Sequence, residues 1–109
     1  MERLQDFFHS NRDRRIFVVY KNSSVGDLSL IHRYCRENGK ILTILMPKVN
    51  QYPTDVMDIL MSDNSSRIYE VTNQGMLTTL RKRGEQYVRQ IPGSILVPDE
   101  FLIAQKNSG

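Results

Sequence analysis

The chain has 109 residues and a net charge of +3, with 15 Lys and Arg against 12 Asp and Glu. That length suits one domain with a modest core. The mixed charge excludes a dedicated basic arm, though it is compatible with a nucleic-acid partner. No apolar run is long enough to span a membrane, and the lone cysteine, Cys35, excludes an internal disulfide, as suits a reducing compartment.

Residues 1–14 read as a helical or flexible extension. Leu4, Phe7 and Phe8 share one helical face, and no long apolar stretch of a secretory signal is present. Ile16 to Tyr20 is an unbroken run of β-formers, the pattern of a strand buried on both faces. After the turn Lys21-Asn22-Ser23-Ser24, the spacing of Ser24 and Asp27 suggests a helix start. Leu28, Ile31 and Cys35, with Tyr34 beside them, form that helix's apolar stripe, and Asn38-Gly39 ends it.

Lys40 to Met46 is the second strand, closed by Pro47. Thr54 is the expected cap of a short helix carrying Val56, Met57, Ile59, Leu60 and Met61. Residues 62–66 are turn formers. Arg67 to Thr72 alternates, so this strand has either a wet face or an edge position. Asn73 is read as the cap of a helix with Met76, Leu77 and Leu80 inward. Gly84 either breaks that helix or lets it continue through Glu85 to Val88. Ser94 to Val97 is the fourth strand. It runs into a short helix that opens on Pro98, Asp99 and Glu100, carries Phe101 in its first turn and reaches Gln105. Residues 15–105 thus form one domain, and the polar tail 106–109 ends without a closing element, as in a piece of a longer chain. The order of strands and helices predicts a small α/β fold: a four-stranded parallel sheet flanked by helices on both faces.

Catalytic patterns are missing. Neither a Walker-type phosphate loop nor a dinucleotide-binding glycine pattern follows the first strand. His9 and His32 have no metal-ligand spacing, and His32 reads as a residue at the solvent edge of its helix. Cys35 reads as a buried structural thiol. Asp99 and Glu100 complement a helix N-terminus. Arg81, Lys82 and Arg83 spread around a helix axis and read first as a solvated face; together with Arg12, Arg14 and Arg15 they are the candidate contacts to nucleic-acid phosphates.

With these elements in this order, the chain resembles a BRCT domain over residues 15–105. The likeness rests on Glu37-Asn38-Gly39-Lys40 ahead of the second strand and on the closing strand and helix, where Phe101 stands in the place of the family's core Trp. A flavodoxin-like or Rossmann-like fold predicts the same element order. The resemblance implies a strand order of 2-1-3-4, which a truncated flavodoxin-like fold shares, and Phe101 packed near Ile31 or Tyr34. In phosphopeptide-binding members a Ser or Thr after the first strand and a Lys at the second helix hold phosphate. Ser23 or Ser24 would fill the first role. Gln74 stands where the Lys should be, and Lys21 is the substitute cation. A neutral amide supplies no charge, so phosphate recognition is expected to be weak.

The expectation is therefore a non-enzymatic protein–protein interaction module without a cofactor. The likeness implies scaffolding in DNA repair, replication, telomere or chromatin processes in the nucleus, with the cytoplasm as the alternative. The rival readings are a nucleic-acid-binding domain with a basic surface and a small Rossmann-like nucleotide or phosphate binder.

Overall fold

The computed structural model describes residues 2–21, 28–72 and 75–102. The proposed cap at Ser24 and Asp27, Ser23, Asn73, Gln74, the end of the last helix and the tail 106–109 lie outside them. The elements run α1 (Glu2–Ser10), β1 (Ile16–Tyr20), α2 (Leu28–Glu37), β2 (Ile41–Pro47), α3 (Thr54–Ser62), β3 (Arg67–Val71), α4 (Met76–Gln90) and β4 (Ser94–Leu96), followed by a 3-10 turn at Asp99–Phe101.

β1 lies between β2 and β4, parallel to both, and all its residues are buried. This is why its sequence does not alternate: Phe17 and Val19 point to one face, Val18 and Tyr20 to the other, and both faces are covered. β3 pairs only with β2, also in parallel, and forms an edge. Alternation is not what the edge shows: Arg67, Tyr69 and Glu70 are exposed, while Ile68 and Val71, on opposite faces, are half-buried.

The strand order is β3-β2-β1-β4. It is not the 2-1-3-4 order that the BRCT and flavodoxin-like readings implied. It is the order of the first four strands of the doubly wound 3-2-1-4-5-6 sheet. The chain steps from β1 to β2 to β3 in one direction, then returns past β1 to β4. Right-handed crossovers put α2 and α3 on one face and α4 on the other once the direction reverses.

The contacts agree. Phe17 meets Tyr34 of α2 at 5.6 Å between ring centres. On the opposite face, the Thr43 and Tyr87 hydroxyls lie 3.5 Å apart. α1 joins the α2 face: Leu4 and Phe8 are buried, and the Phe8 ring stacks on Tyr34 at 4.0 Å. Phe101 is buried as expected, but its ring neighbour is Phe7 of α1, at 5.8 Å. The helix read as an extension is therefore part of the core.

Gly39, at φ +66°, ends α2 in the left-handed conformation expected of it. Gly84 does not break its helix, because α4 continues to Gln90. Its role is close approach: a Cβ added there would lie 2.8 Å from Leu96 Cδ1. Thr54 is not the cap of α3; Pro53 holds that position, without a side-chain capping bond.

Two substitutions test this packing by chemical denaturation. Phe8→Ala should cost about 3–5 kcal/mol, as for a buried ring; a silent result would remove α1 from the core. Gly84→Ala should change stability by less than about 1 kcal/mol, because alanine's helix preference offsets displacement of a movable methyl. Gly84→Leu should cost about 1–3 kcal/mol through overpacking.

Candidate functional site

A reversal of strand order opens a crevice beyond the carboxyl ends of the two strands that flank it, here β1 and β4. The described polar groups at that end are already matched to one another. Lys21 is 2% exposed, and its Nζ lies 3.4 Å from the Asp55 carboxylate in the first turn of α3. Arg81 of α4 pairs with Asp99. Its Nε donates to the Tyr20 hydroxyl at 3.2 Å, and its guanidinium sits 5.9 Å from the centre of the Tyr20 ring. Lys21, the substitute phosphate cation, thus faces a carboxylate from beneath α3. Ser23, Ser24 and Gln74, its proposed companions, lie outside the described residues.

The basic residues do not gather on one surface. Arg12, Arg14 and Arg15 precede β1, and the backbone N–H of Arg15 bonds Gly93 at the amino end of β4. Arg81 reaches Tyr20 at the far end of β1, about 17 Å away along a five-residue strand. Arg81 is engaged by Asp99, whereas Lys82 and Arg83 are exposed and make no ion pair among the described residues.

His32 departs from its expected place at the solvent edge. It is buried, and its Nε2 lies 3.0 Å from Asp63 Oδ2. Burial opposes charge on Asp63. Hydrogen bonds from the Ser65 hydroxyl and N–H, from His32 and from the Ser66 hydroxyl outweigh it and hold the carboxyl well below the usual range. This cluster ties α2 to the end of α3. Beside it, burial pushes the Cys35 thiol up to about 12, which keeps it protonated and unreactive at neutral pH. Ile31 is fully buried and Tyr34 half-buried, so both belong to the core.

Two surface features escaped the reading of the sequence. The first is the outer side of α3. Val56 and Ile59 are buried, while Met57, Leu60 and Met61, at helical spacing, face outward, with Met61 80% exposed. A helix apolar on both sides was the available signal. The second is an open groove of about 480 Å³ between α4 and β3, with Leu45, Tyr69, Val71, Arg83, Gln86 and Tyr87 among its lining residues. It joins strand and helix positions far apart in the chain, so no local pattern announces it.

Among the described residues, no group of three His, Cys, Asp or Glu side chains is placed to hold a metal ion, and no helix is long and apolar enough to cross a membrane. No family model, characterised protein or solved structure matches the chain.

The Asp63 cluster has a pH signature. A carboxyl with a lowered native pKa stabilises the fold above its unfolded value, near 3.8, and that contribution is lost as pH falls through the native value. Asp63→Asn should cost about 1–3 kcal/mol at neutral pH and flatten the fall of stability below about pH 4. Denaturation curves at successive acid pH values measure both effects.

Proposed function

We propose that the chain is a non-enzymatic protein–protein interaction module. The supporting observation is the outward stripe Met57, Leu60 and Met61 of α3. Exposing it to water has no benefit for folding, and an apolar stripe flanked by polar residues fits a protein partner. α3 has no Lys or Arg within it, and its Asp58 is exposed while Asp55 is held by Lys21. The BRCT likeness would place such scaffolding in nuclear DNA repair, replication, telomere or chromatin processes. Because the strand order departs from that family's, the present reading rests on the surface of α3 instead.

A photo-cross-linking residue at Met61 in the full chain tests this in cell extract, with the exposed Thr78 of α4 as the control position. Discrete polypeptide adducts are expected at residue 61 and not at residue 78. Leu60→Lys should abolish them while changing stability by less than about 1 kcal/mol. Equal labelling at both positions would overturn the reading.

The strand order favours a second reading, a Rossmann-like nucleotide or phosphate binder at the crevice between β1 and β4. The pairing of Lys21 with Asp55 and of Arg81 with Asp99 opposes it, since neither cation is free for an anion. Nucleotides and inorganic phosphate should leave the melting temperature unchanged; a rise that grows with ligand concentration would favour the binder.

A further inference from the structure

We propose that the outer edge of β3 and the adjoining α4 groove receive an extended acidic segment of a protein partner, which adds to the sheet as a fifth strand. The inference rests on the interaction-module reading and adds a surface distinct from α3.

The two sheet edges differ. β4 has three residues, and Pro92 and Pro98 flank it, so it offers a short ladder. β3 has five residues with no Pro and no Lys, and its pairing with β2 runs from Arg67 to Val71 without a bulge. No backbone hydrogen bond joins its outer side to another described segment. A regular edge of this kind, guarded only by the charges of Arg67 and Glu70, can template another strand.

The face beside that edge determines what the strand should carry. Tyr20, Leu45 and Tyr69 lie side by side across β1, β2 and β3. α4 covers Tyr20 and leaves Tyr69 45% exposed. Tyr69 and Tyr87, with ring centres 6.5 Å apart, form an aromatic floor. Alternate side chains of an added strand would lie about 5 Å from Arg67, Tyr69 and Val71. Apolar or aromatic side chains there would extend the floor.

The groove also has a sign. Besides Arg81, which Asp99 already engages, α4 carries Lys82, Arg83 and Arg89 against the single acid Glu85. Arg83 lines the groove together with a single acid, Glu70. Arg67 reaches the Tyr87 hydroxyl, and neither arginine has a carboxylate partner among the described residues. Carboxylates on the incoming segment would complement both. A second copy fits less well, because pairing two β3 edges brings two basic α4 helices onto the same face.

Selection of a displayed library of random peptides on the full chain tests the proposal. Recovered peptides should alternate aliphatic or aromatic residues with Asp or Glu, and should perturb the backbone amides of residues 67–71. Arg83→Glu, and independently Gln86→Glu, should weaken them about tenfold or more with the melting temperature retained. A proline placed centrally in the peptide should have a similar effect, since it removes a ladder donor. Recovery of peptides without acidic residues, or of peptides that perturb α3 instead, overturns the edge proposal and leaves the module reading intact. So does an empty selection alongside adducts at residue 61; an empty selection without adducts overturns both. Concentration-dependent dimerisation that broadens the β3 amides assigns the edge to a second copy and also overturns the proposal.

Discussion

The burial of β1 on both faces constrains everything around it. A central parallel strand exposes two apolar surfaces, and each must be covered by helices because its neighbours are reached only through crossovers. The chain supplies α1, α2 and α3 to the Phe17 face and α4 alone to the Val18 face. The aromatic cluster of Phe7, Phe8, Phe17, Tyr34 and Phe101 seals the crowded side. Gly84 lets α4 sit close on the other, where one helix must cover β4, β1 and part of β2.

One helix is not wide enough for four strands. Interaxial distances between packed layers are about 10 Å, and strands are spaced about 4.8 Å apart, so a helix shields roughly two to three of them. α4 is centred by Leu96 and Tyr20, and the strand left uncovered is β3. The groove beneath Tyr87 is thus a consequence of strand order, as is the exposure of Tyr69. On the opposite face α3 buries only Val56 and Ile59, and its surplus apolar residues point outward.

Much of this architecture was legible locally. The unbroken apolar run Ile16 to Tyr20, the polar residues of the edge strand Arg67 to Val71 and the stop at Gly39 each carry their own physical cause, and the parallel α/β class follows from their order. Strand order was not legible, because strand and helix alternation is common to 3-2-1-4 and 2-1-3-4 sheets, and only long-range packing chooses between them. The same reason hid the partnership of Phe8 with Tyr34, which joins residues on separate helices. His32 was misplaced because a polar residue on a stripe is read as solvated unless its partner is known, and Asp63 lies on a distant turn. Gly84 was ambiguous because helix propensity says nothing about the strand packed against it. The stripe on α3 was present in the letters, but deciding which side met the sheet required the sheet.

Net charge conceals a further division. At the carboxyl end of β1 the fold cancels charge pair by pair, Lys21 with Asp55 and Arg81 with Asp99. The remaining charge is sorted by face. α3 keeps Asp58 and no cation, while α4 keeps Lys82, Arg83 and Arg89 against Glu85. These helices lie on opposite faces of the same sheet. An apolar surface without a cation therefore backs onto an aromatic groove beneath a basic helix, separated by the thickness of the sheet. Interactions between exposed charges fade over about 8–10 Å at physiological salt, so each face presents its own sign to a partner despite a whole-chain charge of only +3. Complementarity on one side would not compromise the other, and the exposed edge of β3 is where the two surfaces meet.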